Sequence, residues 1–266
     1  MSCKLCNHTE LEIFNGGKVF SCKNCKCLFV ENVKENKHPQ IAAKNKMKIN
    51  IQKKISKLLS QHYIEYLKKN TSFSFKTSLD IGTGYGDFVL LLKKSNVDAY
   101  GIESDSQTWK NRVTNSIEKK FFDQNFKSEK KFDLISINQS LYYFEDPIDI
   151  LRKIVLMLKD DGILFIATIN PESNFRKEHK IWTQGCNVCM SRKNFQELQE
   201  LGLSCLDVSS FDDIVYKNFY LYKKGELRKY SFYSNLFSCI LGIKKMTIPK
   251  DEGIHNYILL KKTSKK

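Results

Sequence analysis

The stretch from Ser78 to Glu103, SLDIGTGYGDFVLLLKKSNVDAYGIE, limits what this chain can fold into more than any other. Leu79 and Ile81 form a short apolar run that closes on Gly82-Thr83-Gly84-Tyr85-Gly86. Glycines two apart let the backbone turn tightly and approach a ligand with no Cβ in the way. Phe88, Val89, Leu91 and Leu92 give the following helix an apolar face, and Ala99 to Ile102 predict a second strand ending on Glu103. An adjacent parallel strand brings an acid about 20 residues past the turn to the same crevice, where it accepts both hydroxyls of a ribose. The position of Glu103 therefore points to an adenosine-type ligand; the plain alternative is a structural turn between strand and helix. G-x-G-x-x-G would need glycine where Asp87 stands, so the dinucleotide fingerprint is excluded.

The order found, Asp80 followed by G-x-G-x-G with a second acid ending the next strand, resembles the first motif of the class I S-adenosylmethionine-dependent methyltransferases. The resemblance implies a Rossmann-like α/β fold, a doubly wound, mostly parallel seven-stranded sheet, with S-adenosylmethionine as cofactor. It implies that Asp80 orders the turn, that Gly82 and Gly84, with Thr83 between them, admit the methionine end, and that Glu103 holds the ribose. Asp123, after a short third strand expected at Phe121-Phe122, is the candidate for the adenine amine. Asn138 and Gln139 end the buried strand FDLISI (132–137), at the carboxyl edge where open α/β sheets bind ligands, and are placed near the methyl group. Many family members resemble FDVVVLFDVLEHLPDP where this chain reads FDLISINQSLYYFEDP. Tyr142-Tyr143 replace their Glu-His, so no proton-abstracting role carries over and no catalytic residue is assigned.

Cys3-x2-Cys6 and Cys22-x2-Cys25, fifteen residues apart, form a second motif. Each pair sits on a tight knuckle, and four thiolates complete a closed tetrahedral site, which predicts a structural zinc rather than a catalytic one. Asn15-Gly16-Gly17 between the knuckles signals a hairpin. Zinc replaces the core that about thirty residues cannot supply. Cys27 and His8 are left out of the ligand set. Cys186-x2-Cys189 has no second pair nearby and reads as half a metal site or as two packed thiols.

The domains expected are a zinc ribbon over 1–32, a basic helical bridge over 33–70, and the methyltransferase domain over 71–266. Beyond Pro39, apolar residues from Ile41 to Leu67 recur at three- and four-residue steps, giving an amphipathic helix whose basic face is either solvated or tracks phosphate. The helix expected over Asp105–Glu118 precedes the third strand. Asp146-Pro147 opens another properly, with Asp as N-cap and Pro at the first position. Ser204–Phe211 and His255–Lys262 read as the last antiparallel pair, interrupted by an insertion over 212–254. Its aromatics and cations stack bases, roof an acceptor, or form a local core or dimer contact.

The net charge of +15 is a phosphate attraction or a lysine-biased composition. No apolar run is long enough for a membrane span and the N-terminus lacks a signal core, so the expectation is a cytoplasmic protein with no membrane partner. The acceptor expected is a small molecule or carbohydrate. RNA, held by ribbon and bridge, is the alternative, and a non-catalytic binding module on a decayed methyltransferase fold the third reading. The oligomeric state is not read.

Overall fold

The computed structural model describes residues 1–31, 46–123, 125–183 and 185–263. The first part of the expected bridge, with Pro39 and Ile41, lies outside them. Near the N-terminus, β1 (Leu11–Asn15), β2 (Val19–Cys22) and β3 (Leu28–Val30) form an antiparallel meander. The β1–β2 turn places Gly16 and Gly17 at φ of 54° and 69°, a conformation that favours glycine. The long helix α1 (Lys46–Asn70) follows. Then come β4 (Thr77–Ile81), α2 (Asp87–Lys94), β5 (Asp98–Glu103), α3 (Ser106–Lys110), β6 (Ile117–Lys119), β7 (Phe132–Asn138), α4 (Pro147–Met157) and β8 (Leu158–Ile169). The chain closes with α5 (Asn174–Glu178), β9 (Val188–Cys189), α6 (Arg192–Gln196), β10 (Leu203–Asp213), α7 (Ile214–Lys224), α8 (Lys229–Ile240), β11 (Thr247–Pro249) and β12 (His255–Lys262).

The main sheet runs β11-β10-β12-β8-β7-β4-β5-β6. Its β8-β7-β4-β5-β6 portion is parallel, and β12, β10 and β11 add antiparallel strands. Among the described residues it has eight strands rather than seven: the extra one, β11, arises inside the insertion and pairs with Phe211–Asp213. Alternation along β8 supplies both cores, since successive side chains point to opposite faces. Leu164 and Ile166 pack with Ile150, Leu151 and Ile154 of α4. Ile163, Phe165 and Ala167 pack with Phe88, Val89 and Leu92 of α2 and with Tyr63, Ile64 and Leu67 of α1. Each such apolar side chain contributes about 1.5–3 kcal/mol on burial.

Asp146 caps α4 as its sequence requires, accepting from the Ile148 and Asp149 amides at 2.9 and 3.0 Å. Two expectations shift. The expected 105–118 helix stops at Lys110, and the third strand is Ile117–Lys119, not Phe121-Phe122. Ile117 is the residue that packs at the sheet, whereas Phe122 leaves it to join the core under Ile102 and Phe144. The insertion is a helical hairpin: Val215 of α7 and Phe232 and Leu236 of α8 pack with Ile51, Ile55 and Leu58 of α1. Among the described residues no helix is long and apolar enough to cross a membrane.

Candidate active site

The chain passes from β4 to β5 on one side and returns to β7 on the other, which opens a crevice above the carboxyl end of β4. There Gly82, Gly84 and Gly86 have φ of 68°, 61° and 87°. The Gly82 and Thr83 amides both donate to the Ile102 carbonyl at 3.0 Å, which ties the turn to β5. A Cβ on Gly82 would lie 2.8 Å from Ser140 Oγ, whereas one on Gly84 would meet open space. The Glu103 carboxylate closes the arrangement. Oε2 accepts from the Gly84 amide at 2.9 Å and Oε1 from the Asp105 amide at 2.8 Å. Burial raises its pKa, and these N–H groups oppose the rise.

A cavity of about 390 Å³ fills this crevice. Gly82, Gly84, Glu103, Asn138 and Gln139 line it. Asp80 lies beneath, buried, its Oδ1 accepting from Ser136 Oγ at 2.6 Å and Asn138 Nδ2 at 3.2 Å. Burial pushes its carboxyl up to about 6, against the lowering pull of the Ser136, Thr83 and Asn138 side chains. The Thr83 side chain turns from the cavity onto Gly101, where an added Cβ would come within 2.8 Å. Asp123 is not at the cavity. Strand β6 ends at Lys119, the chain has left the sheet four residues later, and the exposed carboxylate accepts from the Asn125 amide at 2.8 Å. Phe121, Phe122 and Phe144 line the cavity there, and Lys120, Ser140, Tyr142 and Tyr143 also face it. The LYYF run after β7 was the available signal for the last of these.

One buried atom here lacks a protein partner: Asn138 Oδ1 accepts no hydrogen bond from the described residues. The carboxylate at the end of β5 and the open amide acceptor at the end of β7, with glycine backbone on one side, suit the ribose hydroxyls and ammonium group of S-adenosylmethionine.

A second cavity, of about 570 Å³, adjoins the first, and Gln139 and Tyr142 line both. Its walls are apolar, from Ile51, Ile55 and Leu59 of α1, Val215 of α7, Phe232 and Leu236 of α8, and Met246. Polar groups gather towards the seam. Gln139, a non-glycine residue at φ 55°, donates from Nε2 to His255 Nδ1 at 3.2 Å and accepts from Tyr142 OH at 3.4 Å. Burial first, then the Arg176 cation, holds His255 down to about 3, against a backbone hydrogen bond at Thr168. The imidazole is therefore neutral. Arg176 is buried, donates to the Ile254 carbonyl at 3.2 Å, and lies 5.4 Å over the Tyr216 ring. Asp213 caps α7 through the Tyr216 amide at 2.8 Å, with its carboxyl pushed up to about 6 by burial. Sequence reading missed this group, because a buried arginine and a strand-end histidine carry no local pattern.

At the N-terminus the Sγ atoms of Cys3, Cys6, Cys22 and Cys25 lie within 4.8 Å of one another, with Cys3–Cys25 and Cys6–Cys22 at 3.6 Å. A tetrahedral zinc with Zn–S near 2.3 Å requires sulfurs about 3.8 Å apart. Cys27 is a buried fifth thiol, 3.4 Å from Cys3 Sγ. Cys186-x2-Cys189 sits where β9 adds a fourth strand to the ribbon sheet, with Leu28 opposite Cys189 and Phe29 opposite Val188. Ser191 Oγ donates to the Cys25 carbonyl at 2.5 Å, and the Asn187 amide to the Tyr142 carbonyl at 2.8 Å. The ribbon is thus fastened to the segment carrying the two tyrosines.

A family model described as methyltransferase domain matches residues 50–207. A protein named Ubiquinone biosynthesis O-methyltransferase, from Actinobacillus pleuropneumoniae serotype 7 (strain AP76), is 28% identical over 128 residues, 42% of this chain and 54% of that protein. The chain thus spans about half the length of this curated relative. Among solved structures, the plantazolicin methyltransferase BpumL in complex with SAH matches with a TM-score of 0.52 and 17% identity, over 83% of this chain and 92% of that one. A putative sarcosine dimethylglycine methyltransferase from Galdieria sulphuraria matches with a TM-score of 0.51 and 16% identity, over 78% and 85%. These two likenesses extend the shared fold over most of the chain. Because the family model spans more than half of the sequence, and the glycine turn and Glu103 meet inside the matched region, the chain belongs to the methyltransferase domain family.

Proposed function

We propose that the enzyme methylates an oxygen of a small, largely apolar acceptor. The observation that carries this reading is the seam: Gln139 and Tyr142 are walls of both cavities, so a nucleophile held at the inner end of the larger one meets the cofactor's cavity. Apolar walls suit a hydrocarbon or aromatic body better than a carbohydrate, since sugar hydroxyls buried without partners cost about 1–3 kcal/mol each. Arg176 at the polar end favours oxygen as the nucleophile, by steadying the negative charge of an acceptor hydroxyl that has given its proton to solvent before the methyl is transferred. The similarity to a protein named as an O-methyltransferase agrees with that choice.

In this reading Glu103 holds the ribose, Asn138 Oδ1 accepts from the methionine end, and Asp80 fixes the Asn138 amide. S-adenosylmethionine supplies an already electrophilic methyl group. The chain's contribution is to hold the acceptor in line and to exclude water, which α7, α8 and the first turns of α1 do by roofing the cavity. Cys3, Cys6, Cys22 and Cys25 hold a structural zinc that fixes the ribbon beside Tyr142 and Tyr143. The test is transfer of labelled methyl from S-adenosylmethionine into an extract of the source cells. Label in a small, solvent-extractable fraction is expected. Label in large, ribonuclease-sensitive material would replace this reading with RNA methylation.

A further inference from the structure

The helical hairpin does more than roof the acceptor cavity. Its outer helix, α8, buries Phe232, Leu236 and Cys239 and presents the opposite face to solvent. Along that face stand Tyr230, Tyr233 and Phe237, followed by Leu241 and Ile243. Steps of three and four residues place Tyr230, Tyr233, Phe237 and Leu241 on one stripe of a helix. Their exposure is large: 83% for Tyr230, 62% for Phe237, 56% for Leu241 and 77% for Ile243. Single exposed apolar residues are ordinary on a protein surface, but a contiguous stripe marks a place of contact.

The surroundings of the stripe identify its partner. From 214 to 250 the sequence carries eight cations (Lys217, Lys223, Lys224, Arg228, Lys229, Lys244, Lys245 and Lys250) against one acid, Glu226. Arg228 and Lys229 adjoin one end of the stripe and Lys244 and Lys245 the other, all exposed, and Lys244 folds back to donate to Asn235 Oδ1 on α8 at 2.9 Å. Apolar side chains at the centre and cations at the flanks describe a helix that lies in a lipid interface over anionic headgroups. Nucleic acid is the poorer match. Its bases stack on aromatic planes in a groove that tracks the phosphates, whereas this face is a single helix stripe that ends in aliphatic Leu241 and Ile243.

The stripe is also continuous with the acceptor cavity, because Tyr233 is half exposed on it and at the same time lines that cavity. We propose that α8 docks the enzyme on an anionic lipid surface, with its axis in the plane of the interface, so that an apolar acceptor passes from the hydrocarbon into the cavity. The route of the acceptor rests on the apolar-acceptor reading above; the docking does not. The absence of a spanning segment does not oppose it, since an interfacial helix spans nothing.

The experiment is co-sedimentation of the full chain, with no acceptor present, on vesicles of phosphatidylcholine alone and of phosphatidylcholine mixed with phosphatidylserine. Binding to the mixed vesicles, falling as salt is raised, is expected. The triple variant Tyr230→Ser, Phe237→Ser, Ile243→Ser is expected to lose about tenfold or more of that binding. None of the three lines either cavity, so its affinity for S-adenosylmethionine should match the parent's and report that it is folded. Lys229→Glu with Lys245→Glu should remove the preference for anionic lipid. The proposal is overturned if the chain stays in the supernatant with both vesicle types, or if the triple variant sediments as the parent does. It is equally overturned if the triple substitution instead abolishes a dimer or an RNA mobility shift and leaves sedimentation unchanged. Lipid binding without methylation of any apolar acceptor would remove the acceptor reading alone.

Discussion

Replacing Glu103 by alanine tests the cofactor site at its most connected point. Its carboxylate accepts the Gly84 and Asp105 amides and lines the cavity with the rest of its surface. A bound ribose would add two hydroxyl donors to the same two oxygens. Each charge-assisted hydrogen bond contributes about 1.5–3 kcal/mol, and water entering the space left by the side chain restores about half. The net loss is about 1.5–3 kcal/mol, or roughly a 13- to 160-fold rise in Kd. Glu103→Gln should fall between alanine and the parent, because its NH2 group must face one of the two backbone donors. Calorimetric titration with S-adenosylmethionine measures both, with circular dichroism confirming the fold. A Kd for the alanine variant within about twofold of the parent's, in a folded protein, would place the ribose elsewhere.

Elemental analysis should find about one zinc per chain, and Cys22→Ser should abolish it and open the 1–31 region to proteases, because a ribbon of this size has little other core. His62 packs edge-on to Phe211 and beside Tyr257, and its Nε2 is buried without a partner among the described residues. Burial, with help from Lys245, holds it down to about 4, below the ordinary value near 6.5. Its contribution to stability is therefore fully present above pH 6.5 and lost as pH falls towards 4. His62→Phe should flatten the acid side of the stability profile, gaining about 1–2 kcal/mol relative to the parent at pH 5 by denaturant titration. Equal slopes in the two proteins would mean that the ring is charged in the fold.

What was legible in the sequence was what is local. The glycine turn, the acid ending β5, the Asp146 cap and the cysteine knuckles each occupy a few consecutive residues whose backbone demands are specific. Boundaries failed where propensity and burial disagree: the Phe121-Phe122 pair is apolar enough for a strand, yet Ile117 takes the place beside β5. Asp123 inherited that error, its expected place depending on where the strand ended. The second cavity was illegible for another reason. Its walls come from α1, the loop after β7, the segment around Arg176, and α7 to β12, which only the closed sheet brings together. Nor does a two-residue strand such as β9 leave a periodicity to read.

That short strand also sets an order of events during synthesis. The ribbon meander is made early, but Leu28 and Phe29 wait for Cys189 and Val188, about 160 residues downstream. At typical elongation rates of about 5–20 residues per second the wait is on the order of ten to thirty seconds. Throughout it, β3 shows an unpaired edge, the kind that recruits other chains. The four thiolates need no downstream residue, so a zinc bound there would be captured while that edge is still open. A nascent chain starved of zinc would meet this interval with neither metal nor partner strand. Its yield of native protein should then fall during synthesis, whatever the stability of the finished enzyme.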